Sequence, residues 1–335
     1  MATSLRGKTI LVTGGTGSFG SACVRRLLAD HDPAKVIVFS RDEWKQGELA
    51  RRLGHDERLR CFLGDVRDRD RLMRAFGGVD VVVHAAALKQ VPTLEYNPFE
   101  AVKTNIYGAQ NVIDAAIDRG VERVIALSTD KASSPINLYG ATKLVSDKLF
   151  VDANAYAAGH ETHFAVVRYG NVVNSRGSVI PLFRRLAADG VLPLTDERMT
   201  RFLITLGESV AFVLDRLADI QGGELFVPKL PSVRIRDLAA AVAPAAEIRV
   251  IGIRPGEKLH EELVAADDAR RTRDAGDFYV LEPEGEWWES RGWEDAPPVA
   301  PDFRYASDTN DRWLEGGDLV EFVQRAEAEQ GAEAA

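Results

Sequence analysis

Cysteine is scarce in this chain of 335 residues, which contains only Cys23 and Cys61. Two cysteines without zinc-ligand spacing exclude a disulfide-rich scaffold and a thiolate metal site, so we predict that both are small, buried apolar residues. The sequence also lacks a run of about 20 apolar residues and a signal-type apolar segment after Met1, so it predicts neither a membrane span nor secretion. These absences favour a cytoplasmic protein.

Positive charge is in the minority, because 42 Lys and Arg residues stand against 51 Asp and Glu residues and the net charge is −9. No long basic run is present, which argues against nucleic acid as a partner. No group of His, Asp and Glu has metal-ligand spacing, so we expect no bound metal. An anionic ligand would have to be held by a few well-placed Arg and Lys side chains.

Short β-branched runs alternate with helical patterns over the first two-thirds of the chain, which predicts an α/β fold with a doubly wound parallel sheet of the Rossmann type. Near-continuous Val and Ile runs are typical of strands covered on both faces. The predicted strands are Thr9–Thr13, Val36–Phe39, Leu59–Leu63, Val79–His84, Arg123–Ser128, Phe164–Arg168 and Glu224–Val227. The predicted helices include Ser21–Ala29, Arg69–Ala75, Pro98–Asp118 and Tyr139–Ala157.

The composition changes after Asn171, where Pro, Gly and Arg become frequent and the helical patterns shorten. We interpret residues 1–170, with returning segments near 201–230, as a dinucleotide-binding domain. Residues 171–200 and 231–315 would form a smaller, C-terminal substrate-binding domain, and residues 316–335 a terminal helix with a frayed tail. The charge-rich stretch Asp267–Asp277 is predicted to be an exposed loop.

A glycine-rich turn, Thr13-Gly-Gly-Thr-Gly-Ser-Phe-Gly20, lies where the first strand is followed by the first helix. In this spacing the first glycine permits a tight turn, the second lets a pyrophosphate approach the backbone, and the third allows close helix packing. Free amides at the start of the helix would bind the phosphates. The predicted dinucleotide contacts in this turn are Gly14, Thr16, Gly17, Ser18, Phe19 and Gly20.

The end of the second strand favours NADP over NAD. An NAD enzyme usually has an acidic residue there for the ribose 2′-hydroxyl, whereas Ser40, Arg41 and Lys45 could bind a 2′-phosphate. Asp42 and Glu43 stand between them, so NAD stays open as an alternative. Further predicted cofactor contacts are Asp65 and Val66 near the adenine ring and Ala85 and Ala86 near the nicotinamide.

Tyr139 and Lys143 are four residues apart and would share one face of a helix. The ammonium can lower the phenol pKa, which would make Tyr139 a base for an alcohol proton during hydride transfer. Thr129, just after the fifth strand, would share the hydrogen bond of that hydroxyl. Together with a dinucleotide-binding turn, this set indicates a dehydrogenase-type site, whereas an isolated Tyr-x3-Lys pair is more often an ordinary helix face.

The glycine turn, the Thr, Tyr and Lys set and the C-terminal segments resemble the extended short-chain dehydrogenase/reductase superfamily. Longer strings over residues 8–315 resemble one group within it, the inverting UDP-N-acetylglucosamine 4,6-dehydratases that begin pseudaminic-acid synthesis for flagellin glycosylation. These strings include Ser40-Arg-Asp-Glu-Trp-Lys-Gln46, His84-Ala-Ala-Ala-Leu-Lys-Gln-Val-Pro92, Ala126-Leu-Ser-Thr-Asp-Lys131, Asn137-Leu-Tyr-Gly-Ala-Thr-Lys143, Arg254-Pro-Gly-Glu-Lys-Leu-His260 and Phe303-Arg-Tyr-Ala-Ser-Asp308.

The resemblance implies an NADP-dependent enzyme that removes water from UDP-N-acetylglucosamine (UDP-GlcNAc) and inverts C5. Asp130 would be the acid toward O6 and Lys131 the base at C5, and Lys131 would return the proton from the opposite face. Dehydratases that retain the C5 configuration typically carry Asp-Glu at these positions, so Lys131 indicates the inverting branch. The cofactor would be tightly bound and regenerated in each cycle, and the product would be UDP-2-acetamido-2,6-dideoxy-β-L-arabino-hex-4-ulose.

Five further residues would contact the nucleotide sugar. Arg201 and Arg254 are isolated cations suited to a diphosphate, Glu257 could accept from the uridine ribose, and Lys89 and Asn171 would flank the sugar. Singly, each is more often a solvated charge or a helix cap, and only the matched strings favour a binding role. By resemblance to the superfamily, we also expect a homo-oligomer formed through the helices around Pro98–Asp118 and Tyr139–Ala157.

Other activities remain open at the sequence level. The nearest are a retaining 4,6-dehydratase and a UDP-GlcNAc epimerase acting at C4 or C5. An oxidoreductase with net turnover would consume external NADP. A catalytically inactive NADP-sensing protein would be expected to lack Tyr139 or Lys143, and both are present.

Overall fold

The computed structural model describes residues 5–157, 159–173, 175, 178–285 and 292–334. Its largest element is a nine-stranded sheet, made of β1 (Thr9–Thr13), β2 (Lys35–Ser40), β3 (Leu59–Leu63), β4 (Val81–His84), β5 (Arg123–Leu127), β6 (His163–Val167), β10 (Leu225–Pro228), β14 (Thr272–Asp274) and β15 (Phe278–Leu281). The order of the strands in the sheet is β14-β15-β10-β6-β5-β4-β1-β2-β3.

Strand pairing is parallel from β3 through to β10, and β15 pairs antiparallel with both β10 and β14. The strand order reverses between β1 and β4, which is the position of the ligand crevice in open α/β sheets. The predicted doubly wound parallel sheet is confirmed, with an antiparallel addition at one edge. Its central strands are buried Val and Ile runs, as the sequence indicated.

Helices that pack on the large sheet connect its parallel strands. One group contains α1 and α9, which pack together, and another contains α3, α6 and α7. The helices of the chain are α1 (Ser18–Asp30), α2 (Glu43–Arg52), α3 (Arg69–Ala75), α4 (Val91–Tyr96), α5 (Pro98–Ala101), α6 (Gly108–Arg119), α7 (Leu138–Tyr156), α8 (Val179–Ala187), α9 (Leu206–Arg216), α10 (Ile235–Val242) and α11 (Gly316–Ala334).

A second apolar cluster lies apart from the core of the large sheet, and α10 packs in it against α8 and α11. Phe183, Leu192, Leu238 and Phe322 are among its buried members. Seven further strands are β7 (Asn171–Val172), β8 (Val191–Leu194), β9 (Thr200–Ile204), β11 (Ser232–Arg234), β12 (Glu247–Val250), β13 (Glu262–Val264) and β16 (Tyr305–Ala306). They form three small sheets with the orders β11-β9-β7, β12-β8 and β13-β16, and the large apolar residues of the last of these join the core of the large sheet.

The segment predicted as one helix over Pro98–Asp118 is interrupted. A π-helical stretch, Val102–Tyr107, separates α5 from α6. Asn105 within it is buried and clamps the backbone of Leu88 through two hydrogen bonds of 2.8 and 2.9 Å, while its amide also donates to Thr142. A π-bulge often marks a functional site, and this one fixes the loop after β4 against α7.

Two local predictions were wrong. Asp267–Asp277 is not simply an exposed loop, because it contains a 3₁₀ helix (Ala266–Arg271) and β14 of the large sheet. Cys61 is exposed, since it lies on the edge strand β3, whereas Cys23 is buried in α1 as predicted. The predicted terminal helix is α11, which extends to Ala334, and its Glu329 accepts a hydrogen bond from the Thr205 hydroxyl. The fraying of the tail stays a prediction.

Candidate active site

The carboxyl ends of the central strands bring the predicted functional residues to one edge of the sheet. In the strand register, Thr13 pairs with both Phe39 and His84, and His84 pairs with Ala126. The segments that follow these strands therefore meet along two adjoining cavities that share Gly14, Gly17 and the Ala85–Ala87 loop. The inner cavity has a volume of about 450 Å³ and the outer cavity one of about 730 Å³.

The glycine turn forms the floor between the two cavities. Gly14 has a φ of +66°, and a Cβ there would lie 2.9 Å from the backbone of Ala86. A Cβ on Gly20 would overlap the carbonyl oxygen of Gly14. Gly17 is the N-cap of helix α1 and offers no side-chain cap, which suits the start of this helix to an anion. Both glycines keep open a cradle that a side chain would fill, which fits a dinucleotide pyrophosphate.

The outer cavity is lined by predicted dinucleotide contacts, namely Ser40, Arg41 and Lys45 for the 2′-phosphate, Asp65 and Val66 for the adenine and Thr16 of the glycine turn. Arg41 is half-exposed, and its guanidinium lies 3.6 Å from the Asp65 carboxylate. The Asp42 carboxylate accepts from the Lys45 amide at 3.0 Å and caps α2. The Lys45 ammonium lies 2.6 Å from it and holds the pKa of Asp42 below its usual value. Asp42 is thus already engaged by its own helix.

A buried polar network supports the loop between the cavities. Thr13 Oγ1 hydrogen-bonds Nδ1 of His84 at 2.8 Å and accepts from the amides of Ala85 and Ala86. Burial, followed by the charge of Lys143, lowers the pKa of His84 to about 3, so its ring is neutral. His84 therefore holds the strand end in place.

Thr129, Asp130, Lys131, Tyr139 and Lys143 all line the inner cavity. Burial raises the pKa of Tyr139 to about 12, although the charge of Lys131 and a hydrogen bond with Thr129 act in the opposite direction. Burial also lowers the pKa of Lys143, although the charge of Asp147 acts in the opposite direction. The sequence-based expectation that Lys143 lowers the phenol pKa is therefore not met by these side chains alone.

Asp147 is a site-supporting residue that the sequence reasoning missed. It is buried one turn beyond Lys143 on α7, where it accepts from the Ser128 hydroxyl at 2.7 Å and from Arg168 at 3.3 Å. This carboxylate joins the end of β5, the end of β6 and the helix of the Tyr–Lys pair. Its four-residue spacing from Lys143 was the available signal.

Lys131 lies between two buried carboxylates. Its Nζ is 3.0 Å from Oδ1 of Asp130 and 3.3 Å from Oε1 of Glu261. Burial lowers the pKa of Lys131, but the two carboxylates outweigh it and the pKa is raised above its usual value. Asp130 also accepts from the Thr129 hydroxyl at 2.7 Å. An acid and a base thus share one hydrogen bond at the cavity wall. The sequence reasoning missed Glu261.

The five predicted sugar-nucleotide residues divide into two groups. Lys89 and Asn171 line the inner cavity. Burial, reinforced by the charge of Lys131, lowers the pKa of Lys89. The amide oxygen of Asn171 is buried without a hydrogen-bond partner in the described structure, which suits a bound ligand. Both side chains therefore face the space beside the Tyr139 hydroxyl and the Asp130–Lys131 pair.

Arg201, Arg254 and Glu257 lie outside the lining of both cavities. Arg201 is buried, and its guanidinium donates to the carbonyls of Thr200, Lys258 and Leu259. Its guanidinium therefore binds backbone carbonyls, whereas the sequence analysis expected it to contact a diphosphate. Arg254 is exposed and lies 3.6 Å from Glu257, on the loop between β12 and β13.

Comparison with known proteins matches residues 10–283 to a family described as "Polysaccharide biosynthesis protein". A UDP-N-acetylglucosamine 4,6-dehydratase (inverting) from Campylobacter jejuni strain 81-176 is 49% identical over 96% of this chain and 98% of its own length. A UDP-glucose 4-epimerase from Rickettsia massiliae is 44% identical over 83% of this chain and 84% of its own.

Two solved structures have a fold similar to that of this chain. Pen from Bacillus thuringiensis has a TM-score of 0.89 at 36% identity and covers 96% of this chain and 99% of its own. A dTDP-glucose 4,6-dehydratase, DesIV from Streptomyces venezuelae with NAD and TYD bound, has a TM-score of 0.68 at 30% identity, with coverages of 75% and 86%.

No helix among the described residues is long and apolar enough to cross a membrane. Within the same ranges, no group of three or more His, Cys, Asp and Glu residues is placed to hold a metal ion. The turn geometry, the Thr–Tyr–Lys set and these relatives agree that the chain belongs to the polysaccharide biosynthesis protein family of extended short-chain dehydrogenases/reductases, in the group of the inverting UDP-N-acetylglucosamine 4,6-dehydratases.

Proposed function

We propose that this protein is an NADP-dependent hydro-lyase that converts UDP-GlcNAc to its 4-keto-6-deoxy derivative with inversion at C5. The observation that carries the proposal is the 3.0 Å hydrogen bond between Asp130 and Lys131, in the same cavity as Tyr139 and Lys143. A plain dehydrogenase needs a tyrosine base, whereas removing water also needs an acid at O6 and a base at C5. This cavity contains all three groups.

A nicotinamide dinucleotide, when bound, supplies the acceptor and donor of hydride for this chemistry. The glycine turn and the uncapped start of α1 would hold its pyrophosphate. Arg41 and Lys45 would bind a 2′-phosphate in the outer cavity, and Asp42 is committed to capping α2. These contacts favour NADP over NAD.

Tyr139 would receive the proton from the 4-hydroxyl of the sugar. The side chains of the cavity favour the neutral phenol, since burial raises the pKa of Tyr139. The positive charge of an oxidised nicotinamide ring would act with Lys131 and Thr129 to favour the phenolate. Lys143 would orient the ribose and the phenol, and the charge of Asp147 acts to raise the pKa of its ammonium.

Asp130 and Lys131 would then remove water between C5 and C6. The ketone at C4 makes the C5 proton acidic, Lys131 accepts it, and Asp130 donates to the leaving O6. One proton moved across the 3.0 Å hydrogen bond converts the resting ion pair into neutral acid and neutral amine, so no proton has to enter the site. Return of the proton by Lys131 to the other face of C5 requires the sugar ring to present that face. Together with a hydride at C6, which the bound dinucleotide would supply, this proton would complete the L-arabino product.

Lys89 and Asn171 would contact the sugar beside these groups. The smaller cluster, with residues 171–200 and 231–315, would supply the rest of the substrate-binding domain. Arg254 and Glu257 would reach the UDP part from the loop between β12 and β13. The Asn137 side chain donates to the Gly256 carbonyl at 2.8 Å and ties this loop to the start of α7.

The test is incubation with UDP-GlcNAc followed by mass spectrometry. We expect a product lighter by one water, with no net change in external NADP. A product of unchanged mass would indicate an epimerase instead, which the 44% identical Rickettsia relative keeps as the second candidate. A water-loss product with retained C5 would identify a retaining dehydratase.

A further inference from the structure

Glu261 is a buried carboxylate that reaches the inner cavity only through Lys131. Its exposed fraction is 2%, and it lies outside the lining of both cavities. Oε1 is 3.3 Å from Nζ of Lys131 and 3.7 Å from Nε of Arg201, and Oε2 is buried without a hydrogen-bond partner in the described structure. Burying a carboxylate with incomplete hydrogen bonding costs stability, so its position next to a reacting group points to function.

The backbone of Glu261 is fixed from the opposite side. Its amide donates to the Ser307 hydroxyl at 2.9 Å, and the Ser307 amide donates to its carbonyl at 2.8 Å. The Thr200 hydroxyl hydrogen-bonds the same Ser307 hydroxyl at 2.7 Å. Because three segments of the chain meet here, the carboxylate has a defined place from which to act on Lys131.

We infer that Glu261 is a positioning residue, which holds the Lys131 amine at the inner cavity and stabilises the charge that the amine gains when it takes the C5 proton. The inference rests on the proposed function, because it requires Lys131 to be the C5 base. It deepens that function by adding a third group to the Asp130–Lys131 pair.

The proton balance of the step is closed without Glu261 gaining or losing a proton. Before water leaves, the shared proton is on Asp130 and Lys131 is neutral. The C5–H bond breaks as the N–H bond forms on Lys131, while the C6–O6 bond breaks as O6 takes the Asp130 proton. A C5–C6 double bond and water result. Lys131 is then an ammonium between two carboxylates, and Glu261 stabilises that state through its charge.

Replacement Glu261→Gln tests the charge while keeping the size of the side chain. The formation of bound NADPH in a single turnover depends on Tyr139 and Lys143, so we expect it to stay near the wild-type rate. Water loss and deuterium uptake at C5 should fall about 10- to 100-fold, the scale of one charged hydrogen bond. The matched control is Glu262→Gln, since Glu262 instead accepts from the Ser133 and Ser134 hydroxyls and should leave water loss unchanged.

The pH profile separates this role from a structural one. The carboxylates hold the pKa of Lys131 above its usual value, so removing one of them lowers that pKa. The alkaline fall in water loss, where the Asp130–Lys131 pair loses its shared proton, should begin at lower pH in Glu261→Gln than in wild type. If Glu261 were merely structural, its replacement would lower the melting temperature without shifting the pH at which water loss begins to fall. The titratable and charged groups facing Lys131 are Asp130, Glu261, Arg201, Lys89, Tyr139 and Lys258.

The outcomes are distinguishable. If the wild-type enzyme releases no water from UDP-GlcNAc, the proposed function fails, whatever the variant does. If wild type releases water and Glu261→Gln shows unchanged C5 exchange and an unchanged alkaline limb, the role of Glu261 is overturned. Should Glu261→Gln not fold, Glu261→Asp keeps the charge but withdraws it by one methylene. It should slow C5 exchange while keeping the alkaline limb, and unchanged exchange would contradict the inference.

Discussion

Lys131 contributes both to the proposed reaction and to the stability of the fold, because it pairs with Asp130 and Glu261 at once. We predict that Lys131→Ala abolishes most water loss and C5 exchange, by about 10²- to 10⁴-fold, while some bound NADPH still forms in a single turnover. Asp130 and Glu261 would each lose a neighbouring cation, so the melting temperature should also fall. Cofactor absorbance and deuterium uptake at C5 measure the two steps separately, and undiminished exchange would place the base elsewhere.

Arg41 is the residue that we expect to select the dinucleotide. Its guanidinium lies at the outer cavity, half-exposed and only 3.6 Å from Asp65. We predict that Arg41→Ala weakens NADP binding about 10- to 100-fold, the scale of one charged hydrogen bond, because only NADP carries the 2′-phosphate. NAD binding should change little.

Isothermal titration with both dinucleotides measures this difference. Arg51→Ala is a suitable control, since Arg51 is on the neighbouring helix α2, where it packs over Trp44, and lies outside the cavity lining. Equal losses for NADP and NAD in Arg41→Ala would contradict the assignment.

At the scale of elements, the β1–α1 turn depends on a close approach of backbone to backbone. A Cβ at Gly20 would overlap the carbonyl oxygen of Gly14, which cannot move without reshaping the phosphate cradle. We predict that Gly20→Ala lowers dinucleotide affinity by at least tenfold, about 1.4 kcal/mol, as measured by titration.

The control for this element is Gly47→Ala. Gly47 is inside helix α2, and a Cβ there meets nothing within 4 Å. Alanine should stabilise the helix by about 0.5–1 kcal/mol and leave dinucleotide binding intact. Full binding by Gly20→Ala would show that the turn tolerates a side chain.

Elements whose signals are local were predictable from the sequence. The alternating pattern gave the parallel strands, and the spacing of Gly14, Gly17 and Gly20 gave the strand–turn–helix unit. Tyr139 and Lys143 share a cavity as their helical spacing indicated. The roles assigned to these residues stay predictions until they are measured.

Features set by distant parts of the chain were not predictable. Glu261 is near Lys131 only because the loop before β13 folds against the turn after β5. Asn105 clamps Leu88 because a π-helical stretch widens the helix there. Cys61 looked buried by composition, but its strand became the edge of the sheet. Packing over long sequence separations decided each case, and no local pattern encodes it.

At the scale of the whole molecule, three large aromatic side chains are exposed in or next to the helical segment expected at the oligomer interface. Tyr96, Phe99 and Tyr107 are 88%, 68% and 56% exposed; Phe99 and Tyr107 lie within Pro98–Asp118, and Tyr96 just precedes it. Exposed aromatic side chains are typical of a protein–protein contact. We predict a homo-oligomer in solution, and we expect Phe99→Glu to shift it toward the monomer.

Size-exclusion chromatography with light scattering gives the mass that decides this prediction. Val250→Glu provides the control. Val250 is also an exposed apolar residue, but it lies on β12, outside the helical segment expected at the interface. A monomeric wild-type protein would refute the predicted assembly, as would a Phe99→Glu variant with the mass of wild type.

The central claim, that Asp130 and Lys131 remove water and that C5 is inverted, is tested most directly by one product analysis. The enzyme is incubated with UDP-GlcNAc in deuterated water, and the product is examined by NMR. We predict a 4-keto-6-deoxy sugar that has lost one water, carries deuterium at C5 and has the L-arabino configuration. A product with the original configuration at C5, or one that has lost no water, would contradict the account.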